Sequence, residues 1–270
     1  MENIESNFGV EMAFTNQSTS FDAFDISNPI LIKLRAQVRK HVGHFIKEND
    51  FLLEINAGTG LDALYFSEKY NARIHAIDIS EGMLNQFEAK VQLKKLEGKI
   101  TYEKLSFMNL SDVPYRNFDY VFSNFGGLNC TGNLNIVLSQ LPTILKPGAI
   151  ITLVIMPVIC PWEFMWLFTR NYKKTFRRFH KNGSNAKIKN DHFTTWYYSY
   201  SIIKKMLGKQ FKPLKVESMS LLFPPPQSIK FAKQNPKLLK TLERLDKLFG
   251  SIPPFNKWGD HYIASFQFQP

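Results

Sequence analysis

The chain has 270 residues, with 34 Lys and Arg against 23 Asp and Glu, a formal net charge of +11. That length buries one substantial core with room for insertions, and a content of 44% hydrophobic and 14% aromatic residues excludes a disordered chain. Cys130 and Cys160 are the only cysteines; this excludes a disulfide framework, fits a reducing compartment and leaves no Cys/His cluster of metal-ligand spacing, so no metal is expected.

Residues 1–28 are polar, with Phe8, Phe14, Phe21 and Phe24 embedded in them. They lack the basic and apolar regions of a signal peptide, so a cytoplasmic protein is expected. A helix is predicted over 29–48, opening on Pro29, with Ile30, Leu34, Val38 and Val42 at helical spacing. FLLEINAGTG, residues 51–60, then reads as a short apolar strand entering a glycine-hinged turn. An amphipathic helix follows, and RIHAIDIS gives a second buried strand ending in Asp78. Strand, glycine loop, helix, strand and terminal carboxylate make half of a nucleotide-binding α/β unit. Gly58 and Gly60 allow backbone to approach a ligand closely, N–H groups at the next helix start can meet an anion, and Asp78 stands where a carboxylate would accept ribose hydroxyls.

The run from Glu54 reads E-x-N-x-G-x-G, which resembles the E/D-x-G-x-G-x-G signature of class I S-adenosylmethionine (SAM)-dependent methyltransferases, with Asn56 in place of the first glycine. The likeness continues through ITYEKLSFMNLSDVP (100–114), FDYVFSNFGGLNC (118–130), LPTILKPGAIITLVIM (141–156) and the closing HYIASFQF. It implies an α/β fold: a doubly wound, mostly parallel seven-stranded sheet whose last strand is antiparallel. It also implies SAM as cofactor, held by Glu54, Asn56, Ala57, Gly58, Thr59 and Gly60, then Asp78, Ile79 and Met83, then Ser106, Phe107 and Met108, and by Asn124. Ser106 occupies the place of the acid that usually meets the adenine amino group. Gly58, Gly60 and Ala63 also fit G-x-G-x-x-G/A, so an NAD(P)-dependent oxidoreductase is an alternative. The departures at Asn56 and Ser106 keep a second alternative, a non-catalytic SAM-binding partner protein.

The expected organisation is a lid segment at 1–28, a SAM-binding core at 29–156, a cap insertion at 157–198, core at 199–223, a second cap insertion at 224–258 and the last core strand at 259–270. AIITLVIMPVICPWEFMWLF (149–168) is long enough to cross a bilayer, but its first half is needed as the central fifth strand and prolines and Glu163 interrupt the rest. The first insertion is predicted as one or two helices followed by an extended HFTTWYYS (192–199). The second holds a helix with Leu238, Leu242, Leu245 and Phe249 on one face, and the two insertions are expected to pack together over the strand ends.

Methyl transfer from SAM is mostly a matter of positioning. A base helps some acceptors, and the candidates are His192 and His261, with Tyr197 and Tyr198 as orienting donors. Asn129 could reach an acceptor oxygen. The cap aromatics Trp162, Phe164, Trp166, Phe168, Trp196, Tyr197 and Tyr198 suggest a lipophilic or aromatic small-molecule acceptor, methylated at oxygen. The basic run 171–189 contains no acid and suits a carrier protein or an anionic membrane surface. The fourth strand ends Ser123-Asn124-Phe125-Gly126, unlike the motif that marks methylation of bases, so nucleic acid is not expected as a partner. Oligomeric state is not legible.

Overall fold

The computed structural model describes residues 2–270, with side chains from Phe8 onward. Two helices open the chain, α1 (Glu2–Ser27) and α2 (Pro29–Val42). Asn28 separates them and starts the second, its side chain accepting from the N–H groups of Ile30 and Leu31 while Pro29 sets the first helical φ. A regular alternation follows: β1 (Phe51–Ile55), α3 (Leu61–Tyr70), β2 (Arg73–Asp78), α4 (Glu81–Leu93), β3 (Ile100–Lys104), β4 (Phe118–Ser123), α5 (Leu134–Gln140) and β5 (Leu145–Ile155). The first insertion supplies α6 (Pro161–Phe164), α7 (Tyr172–Phe176) and the strands β6 (Ser184–Ile188) and β7 (Asp191–Thr195). The chain closes with α8 (Tyr200–Leu207), β8 (Phe211–Met219), α9 (Ile229–Gln234), α10 (Pro236–Phe249) and β9 (His261–Phe268).

The seven-stranded sheet has the order β3-β2-β1-β4-β5-β9-β8. Strands β1 to β5 pair in parallel, and β9 runs antiparallel to both β5 and β8. Alternate residues of the central strands feed opposite cores. Leu53, Ile55, Val121 and Leu153 pack with Leu134, Val137 and Ile203 from α5 and α8. Leu52, Ala76, Tyr120 and Phe122 pack beneath Leu34 and Val38 of α2, Phe66 of α3 and Phe87 of α4. Both faces are therefore dry, which is why these strands read as unbroken apolar runs. The order reverses between β1 and β4, and the cleft outside their carboxyl ends is where such sheets bind ligands.

The apolar run 149–168 divides as expected: Ile150 to Ile155 pair with β9, and Pro161 begins α6. No described helix is long and apolar enough to cross a membrane. The insertions differ from expectation. The first contains an antiparallel hairpin, β6–β7, which the polar SNAKIKND stretch did not reveal. It lies against α1, where Phe14 meets Phe193 at 6.0 Å and Asn16 donates to Asp191. The second insertion instead lies on α2: Lys33 pairs with Glu243, and Ala232 and Leu239 join the α2 core. The first thus rests on α1 and the second on α2.

Gly60 illustrates how tightly the glycine loop is seated. Its φ is 75°, and a Cβ there would stand 2.1 Å from Phe87 Cδ2. Gly60→Ala is expected to lower stability by about 2–5 kcal/mol, left-handed strain and overpacking combined. Denaturant unfolding checks this, and trimming Phe87 in the same chain should return the packing part only.

Candidate functional site

The cleft beyond β1, β2 and β4 encloses a cavity of about 200 Å³. Its polar wall is the loop after β1. Asn56 takes φ 58°, a left-handed conformation that asparagine tolerates, and its amide donates to Ser123 Oγ at 3.1 Å. Gly58, at φ 56°, has nothing within 4 Å of where a Cβ would point, so this backbone borders open space. Asp78 closes β2 beside it and accepts from the N–H groups of Gly58 and Ser80, both at 2.8 Å. Burial raises the Asp78 pKa, and these N–H contacts pull the other way.

Glu54 ends β1 at 2% exposure, and its Oε2 has no hydrogen-bond partner. A buried carboxylate oxygen without a partner is costly. Burial first, and then the neighbouring Asp62, push its pKa well above the ordinary range, with Arg35 and Arg39 opposing. Asp62 is itself held by Arg35, by Arg39 Nε at 2.8 Å and by the Asn124 amide at 2.7 Å. Arg35 forms a fork with Asp25 of α1 at 2.9 and 3.0 Å and lies 4.8 Å over the Phe125 ring.

Helix α1 roofs the cavity with Val10, Phe14 and Phe21. Polar ties hold it down: Thr59 donates to Asp22 at 2.5 Å, Lys90 pairs with the same carboxylate, and Thr15 shares a hydrogen bond with Ser80 at 2.9 Å. Met83, Phe107, Phe125 and Cys130 supply the remaining apolar lining. Burial pushes the Cys130 thiol up to about 12, so it lines the wall as a neutral group. Larger hollows of about 590 and 580 Å³ lie elsewhere. The first opens between α1, α2 and α3, the second between α2 and α10, and neither is lined by Gly58, Thr59 or Gly60. The smaller cleft is the one with the chemistry.

Ten residues expected at the cofactor therefore line one cavity: Glu54, Asn56, Ala57, Gly58, Thr59, Asp78, Ile79, Met83, Phe107 and Asn124. Gly60 packs on Phe87 instead, Ser106 caps the turn at 107–112 by accepting from the Met108 N–H, and Met108 accepts a weak contact from Thr131. The expected catalytic group is not assembled there. His192 is exposed on the hairpin, 3.2 Å from Asn185 Oδ1. The Tyr197 hydroxyl meets Ser184 at 3.1 Å, its ring against the Arg178 guanidinium. Tyr198 donates to the Thr131 carbonyl. Asn129 spends its amide on the carbonyls of Met156 and Trp196 and its oxygen on the Met156 N–H, so it pins the two chain segments together and is not free for an acceptor. His261 comes nearest. It is buried edge-on behind the cavity residue Phe125, and its Nδ1 is 3.2 Å from Asp260 Oδ2 without hydrogen-bond alignment. None of the seven cap aromatics lines the cavity; Trp166 and Phe168 face solvent. The aromatics that do come from α1, from Phe107 and from Phe125.

The sheet order, with its single antiparallel strand, is the fold of class I, Rossmann-like methyltransferases. Residues 52–148 match the methyltransferase domain family model. The chain is 32% identical over 78 residues to a phosphoethanolamine N-methyltransferase of Plasmodium falciparum, a match spanning 29% of this chain and 28% of that relative. Among solved structures, a candidate sarcosine dimethylglycine methyltransferase from Galdieria sulphuraria aligns with a TM-score of 0.59 at 12% identity, covering 88% of this chain and 86% of that one. A phosphoethanolamine N-methyltransferase 2 from Haemonchus contortus, in complex with SAM, aligns at 0.56 and 17%, covering 87% of this chain and 52% of the other. The cofactor of this class is SAM, and the cleft fits it: open space beside Gly58, the unpartnered Glu54 oxygen and the Asp78 carboxylate are the features a cationic adenosyl compound requires.

The state of Glu54 gives a pH prediction. With its pKa raised, the folded unliganded chain keeps this proton above the ordinary 4.5, where the unfolded chain has lost it. Its contribution to stability is full below 4.5 and is lost as pH rises through the raised value. A cation placed beside it favours the ionised form. SAM affinity should therefore increase as pH rises from about 5, with proton release on binding, and Glu54→Gln should flatten the profile. Calorimetry in buffers of different ionisation enthalpy counts the proton directly.

Proposed function

We propose that this protein transfers the methyl group of SAM to a lipophilic or aromatic small molecule, at oxygen. The observation that carries the reading is the composition of the cavity: Glu54, Gly58 and Asp78 line it together with Phe14, Phe21, Phe107 and Phe125. When bound, SAM supplies a methyl carbon already activated by its sulfonium. The chain's own task is then to hold the cofactor, exclude water and orient the acceptor. Glu54 and Asp78 do the first, and helix α1 the second. At about 200 Å³ the cavity under α1 is below the roughly 300–1,000 Å³ usual for ligand pockets, and loading in this reading requires α1 to shift as a lid would. His261, beside Asp260 and behind Phe125, is the base available to an acceptor hydroxyl once Phe125 turns aside.

A second reading, methylation at nitrogen, is favoured by the names of the two phosphoethanolamine N-methyltransferases among the similar proteins. Methyl-labelled SAM incubated with phenolic, quinol and amine acceptors separates the two. Label in phenols or quinols, reduced in His261→Ala, supports the oxygen reading; label in amines alone replaces it. No label in any acceptor, despite SAM binding, returns the protein to the non-catalytic class.

A further inference from the structure

The short helices α6 and α7 form a projection whose buried side chains are few and polar. Glu163, Thr175 and Arg178 point inward, while the segment between them turns apolar groups outward. Phe168 is 87% exposed, Tyr172 59% and Met165 54%, with Trp166, Phe176 and Phe179 also exposed. Side chains this exposed stand proud of the surface and have no wall around them, unlike anchors that fill a pocket. Contiguous apolar groups of this kind mark an interaction surface.

Charge says which surface. No acid occurs between Glu163 and Asp191. Glu163 is already spent on Arg177 at 2.6 and 2.9 Å and on Arg178 at 2.7 Å. Arg170, Lys173 and Lys181, among the described residues, have no ion-pair partner, and Lys174 lies 4.3 Å over the Trp166 ring. Projecting aromatic and aliphatic side chains ringed by unpaired cations match the headgroup zone of an anionic bilayer, where rings enter the interface and Lys and Arg meet lipid phosphates. We infer that this projection docks the protein on an anionic lipid surface.

The projection is also set rigidly with respect to the cleft. It leaves the carboxyl end of β5, the edge at which the cavity lies. Arg178 locks it by donating to the Pro157 and Asp260 carbonyls at 3.1 and 2.9 Å and to the Asp260 carboxylate at 2.7 Å. A docked protein therefore holds its cleft at the same end of the sheet as the docking surface, which suits an acceptor that partitions into membrane.

The test is co-sedimentation of the full chain with vesicles of phosphatidylcholine, alone or with about a third phosphatidylserine. Binding to the mixed vesicles is expected, at least tenfold weaker on the neutral ones, with a blue shift in Trp emission. The double variants Trp166→Ser/Phe168→Ser and Lys173→Glu/Lys174→Glu should each lose tenfold or more, since one basic residue near such a surface contributes about fivefold. Their thermal midpoints and SAM affinity should stay unchanged, because the altered side chains face solvent; failure of cofactor binding would thus register separately. No vesicle binding, or binding that neither variant weakens, overturns the inference. So does a dimer in sedimentation equilibrium that Trp166→Ser/Phe168→Ser dissolves, which would assign the projection to a second copy of the chain.

Discussion

Arg178→Leu should cost about 3–5 kcal/mol of stability, the loss expected when one partner of a buried ion pair is removed. Arg178 is 3% exposed, and its side chain spans Glu163, Asp260 and two carbonyls, so its removal leaves Glu163 to Arg177 and Asp260 to His261 and takes the donor from two carbonyls. Burial opposes ionisation of Asp260, but His261 and Arg178 overcome it and hold the carboxyl well below its ordinary value. Such a group stabilises above the unfolded pKa of 3.8, and the contribution is lost as pH falls through the depressed value. The variant should lose the Arg178 share of this acid-side component while His261 keeps its own, so its deficit is larger at neutral pH than below about pH 3. Thermal unfolding should show a midpoint lower by roughly 6–20 °C for a chain of this size. Arg178→Lys keeps the charge without the fork and should recover part of the loss. A deficit under about 1 kcal/mol would mean that the first insertion is not anchored here.

Asp78→Ala should weaken SAM binding by about 1.5–3 kcal/mol, the worth of hydrogen bonds to a charged group and roughly a tenfold to 150-fold change in Kd. Two physical effects combine. In the proposed pose the ribose would lose its acceptor, and the N–H groups of Gly58 and Ser80 lose their carboxylate partner. Asp78→Asn keeps much of the shape and removes the charge, so it separates the two. Lys94, paired with Glu68 on the surface, is the control: Lys94→Gln should leave Kd unchanged. Unchanged affinity in Asp78→Ala would displace the cofactor from this cleft.

The sheet and the polar wall of the cleft are legible because they depend on local rules. Apolar runs buried on both faces, a loop needing left-handed backbone at Asn56, Gly58 and Gly60, and acids at two strand ends are each written in short segments. What was missed depends on long-range pairing. Helix α1 was hidden by its polar, serine- and threonine-rich middle, although Val10, Phe14 and Phe21 already stood at i, i+4 and i+11 on one helical face. Arg35 and Asp62 could not be placed at the site, because only the fold sets Asp25, Arg35, Asp62 and Asn124 side by side. Acid and base on successive helices look like ordinary surface charge. The cap aromatics misled in the opposite sense: aromatic clusters normally seek a core, and here Trp166 and Phe168 face outward. Of the basic run, Arg177 and Arg178 serve an internal carboxylate, which leaves the lysines as its solvent-facing charge.

Binding of SAM in this cleft is decided by a thermal-shift series with SAM, S-adenosylhomocysteine, NAD and NADP. A ligand at a hundred times its Kd stabilises by about 2.7 kcal/mol, which for a chain of this length raises the midpoint by roughly 5–10 °C. That rise is expected with the two adenosyl sulfur compounds, with its loss in Asp78→Ala, and none with the nicotinamide nucleotides. A rise with NAD or NADP alone would contradict SAM binding in this cleft.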